Sequence, residues 1–385
     1  MKNKNSIFGQ MLQLISRYEF EKAVKMYNTD KYCKGFTSWD HFVSLAFAQL
    51  SKQDGLRGVE TGMASQVHRL YHLGTKPCKR STLSYANNNR LHEVFKNVFE
   101  YKLENTLKKA PGHKFRFKNN LYSFDATTID LCLSLYNWAK FRKTKGGIKL
   151  HVQLNHNGYI PQFVNVTHAK HHEVNELRRL NLKAGDIIVY DRGCIDFKLF
   201  VSHCIKRIYF VTRLKSNAKY KVVERKDVSK YKNISSDQTI EFTDYYSKKK
   251  CPLRLRRIRC KDPETGKYIV LLTNQFEWSP NTVSKVYKDR WQIEIFFKNI
   301  KQNLKIKSFL GTSKNAIMCQ IWVALIVYLL LSYMKFVSKY NWTISKLMNV
   351  LPVILFTRID LWIWLNEPFG SQKIKEPLPL ELLWN

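Results

Sequence analysis

Residues 186–191 read Asp-Ile-Ile-Val-Tyr-Asp, and this short run decides the fold class. Consecutive apolar residues leave no polar face, so the run predicts a strand covered on both sides, as in a parallel sheet. On its N-terminal side HHEVNELRRLNLK (171–183) has the spacing of a helix, which Gly185 ends. Further upstream, NLYSFDATTIDLCLSL (120–135) is rich in β-branched and aromatic residues. IKLHVQLNH (148–156) and YIPQFVNVT (159–167) then flank Asn157-Gly158, a strong hairpin-turn pair. Downstream, residues 207–275 are mostly strand-like and basic, with KKK at 248–250 and RLRRIR at 254–259. Residues 281–305 and 314–337 read as long helices, followed by shorter ones. The pattern predicts a mixed α/β domain.

Residues 1–110 read as helical instead. Ser38-Trp39-Asp40 gives an N-cap signal before FVSLAFAQL, and Arg80-Ser81-Thr82 opens a second stretch that Pro111-Gly112 ends. With Gly55 and Gly58 as breaks and basic residues throughout, a helix-turn-helix-like DNA-binding module is expected here, although small helical domains of other functions look the same. Lys plus Arg number 65 against 30 Asp plus Glu in 385 residues, a formal charge of +35. So large a surplus repels itself and calls for a polyanionic partner: nucleic acid, anionic membrane or ribosome. The basic residues are spread along the chain, which argues against a detachable basic tail.

A hydrophobic share of 44% excludes a disordered chain. The 8 cysteines include no C-x-x-C pair, so reduced thiols in a cytoplasm are expected. The first residues lack a long apolar core with a cleavage site, and no signal peptide is expected. AIMCQIWVALIVYLLLSYM (316–334) is long enough to span a membrane. No second such segment exists and basic chain flanks it, so a core helix is the preferred reading.

The candidate chemistry lies in three acids. At about 100° per residue, Tyr287, Arg290, Glu294, Lys298 and Lys301 share one helix face. Val286, Ile293, Phe296, Phe297, Ile300 and Leu304 fall opposite, as a core face. Such a polar face suits an ordinary solvated helix with an Arg290–Glu294 ion pair. It equally suits a carboxylate flanked by phosphate-binding groups. Asp125 is a charge inside an apolar strand, costly unless it is paired or binds metal. Asp191 follows Ile-Val-Tyr at a strand's C-terminal end, where α/β sheets build their sites. With Glu294 they offer three oxygen ligands for a hard cation such as magnesium.

The string from Tyr287 through Arg290 and Glu294 to Lys301 matches Y-x-x-R-x-x-x-E-x-x-x-x-x-x-K without a gap. It resembles the signature of a large group of bacterial insertion-sequence transposases of the DDE class. FDATTID (124–130) and YDRGCIDF (190–197) resemble that group's two aspartate motifs, in the expected order. WAKFRKTKGGIKLH and THAKHHEVNEL resemble its intervening segments. SWDHFVSLAFAQL, GLRGVE and RSTLSYANNNR are similar to the helical domain often fused to these enzymes.

The resemblance implies an RNase H-like catalytic core with a β-rich insertion between the second aspartate and the glutamate. It divides the chain into a helical DNA-binding domain (1–112), two core parts (113–206 and 276–340), the insertion (207–275) and a C-terminal helical segment (341–385). Asp125, Asp191 and Glu294 would bind two divalent ions, magnesium or manganese. They would cleave DNA at the element's ends and transfer its 3′-hydroxyls into target DNA. Tyr287, Arg290 and Lys301 would grip phosphates, helped by Lys298 and Arg192. Some relatives hold a flipped base with a tryptophan in the last insertion strand, just before an L-T-S/N stretch; here that place reads Tyr268-Ile-Val-Leu-Leu-Thr-Asn, and the tryptophan is absent. Tyr268 or Trp278 would take that role instead. The expected partners are double-stranded DNA and a second copy of the chain on it, at the nucleoid in the cytoplasm and without a membrane.

Two rivals remain at this level. One is an inactive, sequence-specific DNA-binding copy of a transposase; the other is a basic protein anchored in a membrane by residues 316–334.

Overall fold

A computed structural model describes residues 5–142, 145–262, 265–304 and 309–369. The end of the expected C-terminal helical segment, residues 370–385, and Lys143-Thr144 of the intervening motif lie outside the described residues. The strands are β1 (Leu121–Leu131), β2 (Lys140–Arg142), β3 (Lys145–Asn155), β4 (Ile160–His168), β5 (Ile187–Tyr190), β6 (Tyr209–Arg213), β7 (Tyr220–Lys226), β8 (Ile234–Phe242), β9 (Leu255–Lys261) and β10 (Tyr268–Thr273). They form one sheet in the order β2-β3-β1-β5-β6-β10-β9-β8-β7, with β4 beside β3.

The centre of the sheet makes the architecture α/β. β5 is wholly buried and runs parallel to β1 on one side and to β6 on the other. Its unbroken apolar run is what burial on both faces demands. β1, β3 and β4 form an antiparallel meander. Gly158 turns the β3–β4 hairpin at φ +71, and a Cβ there would also meet the ring of Phe336.

The strand-like stretch after β6 extends this same sheet, because β10 pairs with β6. KKK at 248–250 is the exception: it lies in a short helix capped by Asp244, not in a strand. In the run 254–259, Arg256 is buried with its guanidinium on Asp237 at 2.8 and 2.6 Å. It also donates to the carbonyls of Gln275 and Trp278. Arg254, largely exposed, pairs with Glu241, and Arg257 with Gln238.

Among the described residues seven α-helices precede β1: α1 (Ile7–Leu12), α2 (Arg17–Tyr27), α3 (Ser38–Leu50), α4 (Leu56–Ala64), α5 (Val67–Leu70), α6 (Arg80–Asn89) and α7 (Glu93–Leu107). The cap of α3 is Thr37, one residue before the predicted Ser38, in a reciprocal capping box with Asp40. Gly55 starts α4 as a break, but Gly58 lies inside that helix. The predicted helix from Arg80 is interrupted at Arg90, which divides α6 from α7.

The later helices are α8 (Glu173–Arg178), α9 (Phe197–Ile205), α10 (Tyr245–Lys250), α11 (Pro280–Asp289), α12 (Trp291–Lys298), α13 (Lys314–Val337), α14 (Ile344–Ile354) and α15 (Leu361–Asn366). α8 is half the predicted length, since it stops at Arg178. By length and composition α13 can cross a membrane. Here it is the central core helix, buried in one apolar cluster with residues of α3, α6 and α7 such as Phe47, Leu83 and Phe99.

The two faces of the central strands are covered differently. Leu121, Ile187 and Val189 pack with Val283, Val286 and Tyr287 of α11. Tyr122, Phe124, Ile188 and Tyr190 pack on the other face with Leu177, Leu199 and Phe200.

Candidate active site

Phe124 of β1 stands opposite Tyr190 of β5 in parallel register. The next position along each chain is an acid, Asp125 still within β1 and Asp191 just past the end of β5, on strands spaced about 4.8 Å apart. β5 ends at Tyr190 while β1 runs on to Leu131. Asp125 therefore sits in mid-strand at the point where its neighbour stops, and a charge there has an open side. Alternation puts Asp125 with Leu121, and Asp191 with Ile187 and Val189, on the face covered by α11.

That cover carries the third acid. α11 is capped by Ser279 with Pro280 in its first turn, and an apolar face docks it on the sheet. Backbone bonds tighten at Arg290, which donates to Tyr287 O and accepts from Ile293 N. This three-residue spacing separates α11 from α12. Beyond α12 the chain widens into a π turn, Asn299–Asn303. The expected single helix is thus bent at its key arginine and loosened at its key lysine.

The side chains converge on Arg290. Its Nη1 donates to Asp125 Oδ2 at 3.0 Å and its Nη2 to Glu294 Oε1 at 2.8 Å. Tyr287, buried at the same junction, donates its hydroxyl to Asp191 Oδ1 at 3.4 Å. Lys301 reaches from the π turn to the carbonyl of Thr128 on β1 at 2.8 Å. Asp125, Asp191, Glu294, Tyr287 and Arg290 are thereby brought together, and Lys301 is bonded three residues past Asp125 on β1.

The electrostatics follow from partial burial. Burial pushes the Asp125 carboxyl up to about 6, against the opposing pull of Arg290 and the Ala126 N–H. Burial also opposes the charge on Arg290, but Tyr287, Asp125, Glu294 and Asp191 outweigh it and keep the guanidinium firmly protonated. The Tyr287 phenol is pushed up to about 12, chiefly by burial, and stays a neutral donor.

The remaining predicted contacts lie further out. Lys298 and Arg192 are exposed, the latter in the turn directly after Asp191. Tyr268 is 50% exposed, with Arg259 lying 4.3 Å over its ring. Trp278 is stacked on Phe117 at 4.3 Å, so one ring face is already covered.

Sequence reasoning missed two groups. The first is a buried chain of bonds from Ser123 to His156 (2.6 Å), from His156 to Asp289 (2.7 Å) and from Asp289 to Lys114 (2.6 Å). It has the order of a nucleophilic triad, but Ser123 is fully enclosed and no substrate reaches it. It ties the strand carrying Asp125 to the residue just before Arg290. The second is Glu173 at the start of α8, paired with Lys149 and accepting from the Cys194 thiol. Its charge further raises the Asp125 carboxyl. The polar Asp289 beside Arg290 was a visible signal; the long-range partner His156 was not.

Three carboxylates are the donor set a hard divalent cation prefers. Among the described residues no group of three or more His, Cys, Asp or Glu stands close enough to hold a metal ion. Arg290 bridges two of the acids instead. The donor chemistry fits such an ion, and its entry requires that guanidinium to turn away.

Comparison with known proteins shows the family. Residues 116–330 match the transposase DDE domain family, and residues 3–76 match a domain of unknown function, DUF4372. The chain is 31% identical over 62% of its length to a protein of Sinorhizobium fredii named as transposase y4zB, of which it covers 67%. It is 28% identical over 60% of its length to a Geobacillus stearothermophilus protein named as the transposase for insertion sequence element IS5377, of which it covers 60%. Among solved structures, the piggyBac transposase synaptic complex with hairpin DNA gives a TM-score of 0.44 at 10% identity, over 96% of this chain and 81% of that one. On its acid-bearing sheet, its helix and the family match across them, the chain belongs to the DDE transposase family.

Proposed function

We propose that this DDE-type DNA transposase cuts DNA at the ends of its insertion sequence and joins the freed 3′-hydroxyls to target DNA, using Asp125, Asp191 and Glu294. The observation that carries this reading is the meeting of Asp125, Glu294 and Asp191 around Arg290 and Tyr287. The three acids would hold two divalent cations, magnesium or manganese. Such ions, when bound, supply a Lewis acid and activate a water or hydroxyl for in-line attack. Tyr287, Arg290 and Lys301, with Lys298 and Arg192, would bind the phosphates of the element's end and orient them. Each ring has one face taken, Trp278 by Phe117 and Tyr268 by Arg259, and the more exposed Tyr268 is the better placed to stack on an unpaired base.

An RNase H-like core is the finer reading of the fold. The antiparallel β1-β3-β4 meander followed by parallel β5 and β6 supports it. The N-terminal helices would bind DNA as a module, and two copies would bridge two ends.

Cation binding should depend on pH through Asp125, which gives up its proton only above about 6. Affinity for Mn²⁺ is expected to fall roughly tenfold per pH unit below that point, since ligands must be deprotonated. A titration between pH 5 and 7.5 checks this, and a flat profile would contradict the assignment.

The decisive assay uses a plasmid with the gene's own flanking DNA, purified protein and Mg²⁺ or Mn²⁺. Metal-dependent cuts at the element's ends, absent with Asp191→Asn, are the expected result. Salt-sensitive binding to those ends without any cut would favour an inactive DNA-binding copy instead.

A further inference from the structure

A guanidinium bonded to two carboxylates occupies the place that a divalent cation between them would take. Both Nη atoms of Arg290 are engaged, one by Asp125 and one by Glu294. Its Nε is buried and has no acceptor among the described residues. The two acids come from β1 and α12, and in the DNA-free protein this one cation offsets their mutual repulsion.

We propose that Arg290 is a counter-ion held in turn: it keeps Asp125 and Glu294 paired until a phosphate of the element's end draws it away and opens the acids to divalent cations. This inference rests on reading the three acids as the metal site. A phosphate presents the guanidinium fork with the same planar pair of oxygens as a carboxylate, so exchange costs little geometry. The orphaned Nε adds a donor that the acids leave unused. Tyr287 is poised in the same way, since its hydroxyl rests on Asp191.

Coupling follows by linkage. Whatever factor an end duplex adds to cation affinity, the cation adds to end affinity. Away from the element's ends the acids stay paired, which keeps the protein from cutting other DNA.

The test measures Mn²⁺ binding by its electron paramagnetic resonance signal, using the full chain with and without a duplex of the gene's flanking DNA. Wild-type protein should bind Mn²⁺ weakly alone and about 10-fold more tightly with the duplex. Arg290→Gln should bind about 10-fold more tightly than wild type without DNA, and gain less than about twofold from it. Arg290→Lys keeps a charge but cannot bridge both carboxylates, so it should fall between the two. It also serves as the variant most certain to fold. If neither variant binds Mn²⁺ more tightly than wild type in the absence of DNA, the counter-ion role is wrong while the metal site stands. If Asp191→Asn leaves Mn²⁺ binding unchanged, the metal-site reading fails and this inference fails with it.

Discussion

Replacing Glu294 by glutamine is expected to lower end cleavage by about 10³-fold or more, the scale of losing an ion that contributes several kcal/mol to a transition state. Binding to the same ends should stay within about threefold, because the loss belongs to the transition state and not to ground-state contacts. The substitution keeps shape and removes one negative charge. Arg290 would retain its bond to Asp125, and Glu294 is one-third exposed, so the ion pair itself contributes under about 1 kcal/mol to stability. Folding and catalysis therefore separate cleanly in this variant. Cleavage kinetics and a gel-based binding isotherm measure the two effects, and cutting at the normal rate would remove Glu294 from the site.

The largest loss of stability is expected from Asp289→Ala. Asp289 is buried and accepts bonds from His156, Lys114 and Tyr159. Removing it leaves a buried imidazole and a phenol without their acceptor, which costs about 1–3 kcal/mol, while the largely exposed Lys114 adds little. Asp289→Asn keeps the shape and one acceptor oxygen and should cost less than alanine. Denaturant unfolding midpoints distinguish these outcomes; a change near zero for alanine would mean that the network carries no weight. The pH dependence has a definite sign. Burial disfavours the Asp289 charge, but the bonds from His156 and Lys114 outweigh it and hold the carboxyl below its ordinary value. Its contribution is thus present above the ordinary carboxylate value of 3.8 and is lost as pH falls further, through the lowered one. His156 acts in the same direction, since burial lowers its pKa and protonation on acidification opposes the fold.

Much of the catalytic part was legible because local pattern and global role coincide there. Ile187–Tyr190 is apolar throughout because β5 is covered on both faces, and Asp191 marks where that cover ends. The polar face from Tyr287 to Lys301 was visible at helical spacing, and the structure keeps those side chains together even though the helix bends at Arg290. What stayed hidden depends on contacts far apart in sequence. No local pattern says that Arg290 meets Asp125 on β1 or that Asp289 meets His156. The run 254–259 read only as basic and strand-like, yet Asp237 turns Arg256 into the sheet. Trp278 looked available for stacking until Phe117 arrived from before β1. The boundaries that slipped, at Thr37, Gly58 and Arg90, are places where cap geometry or tertiary packing overrides a one-residue signal.

The burial of α13 bears on how far the chain can be divided. Phe47, Leu83 and Phe99 from the first hundred residues share one core with it. The N-terminal helices are therefore not an appendage to be cut off at will. A shortened protein starting near residue 113 would present a long apolar rod to water, inviting aggregation or insertion into lipid. During synthesis the order is favourable: the ribosome delivers the covering helices before the rod they shelter, so the greasiest segment of the chain emerges into a partner already made.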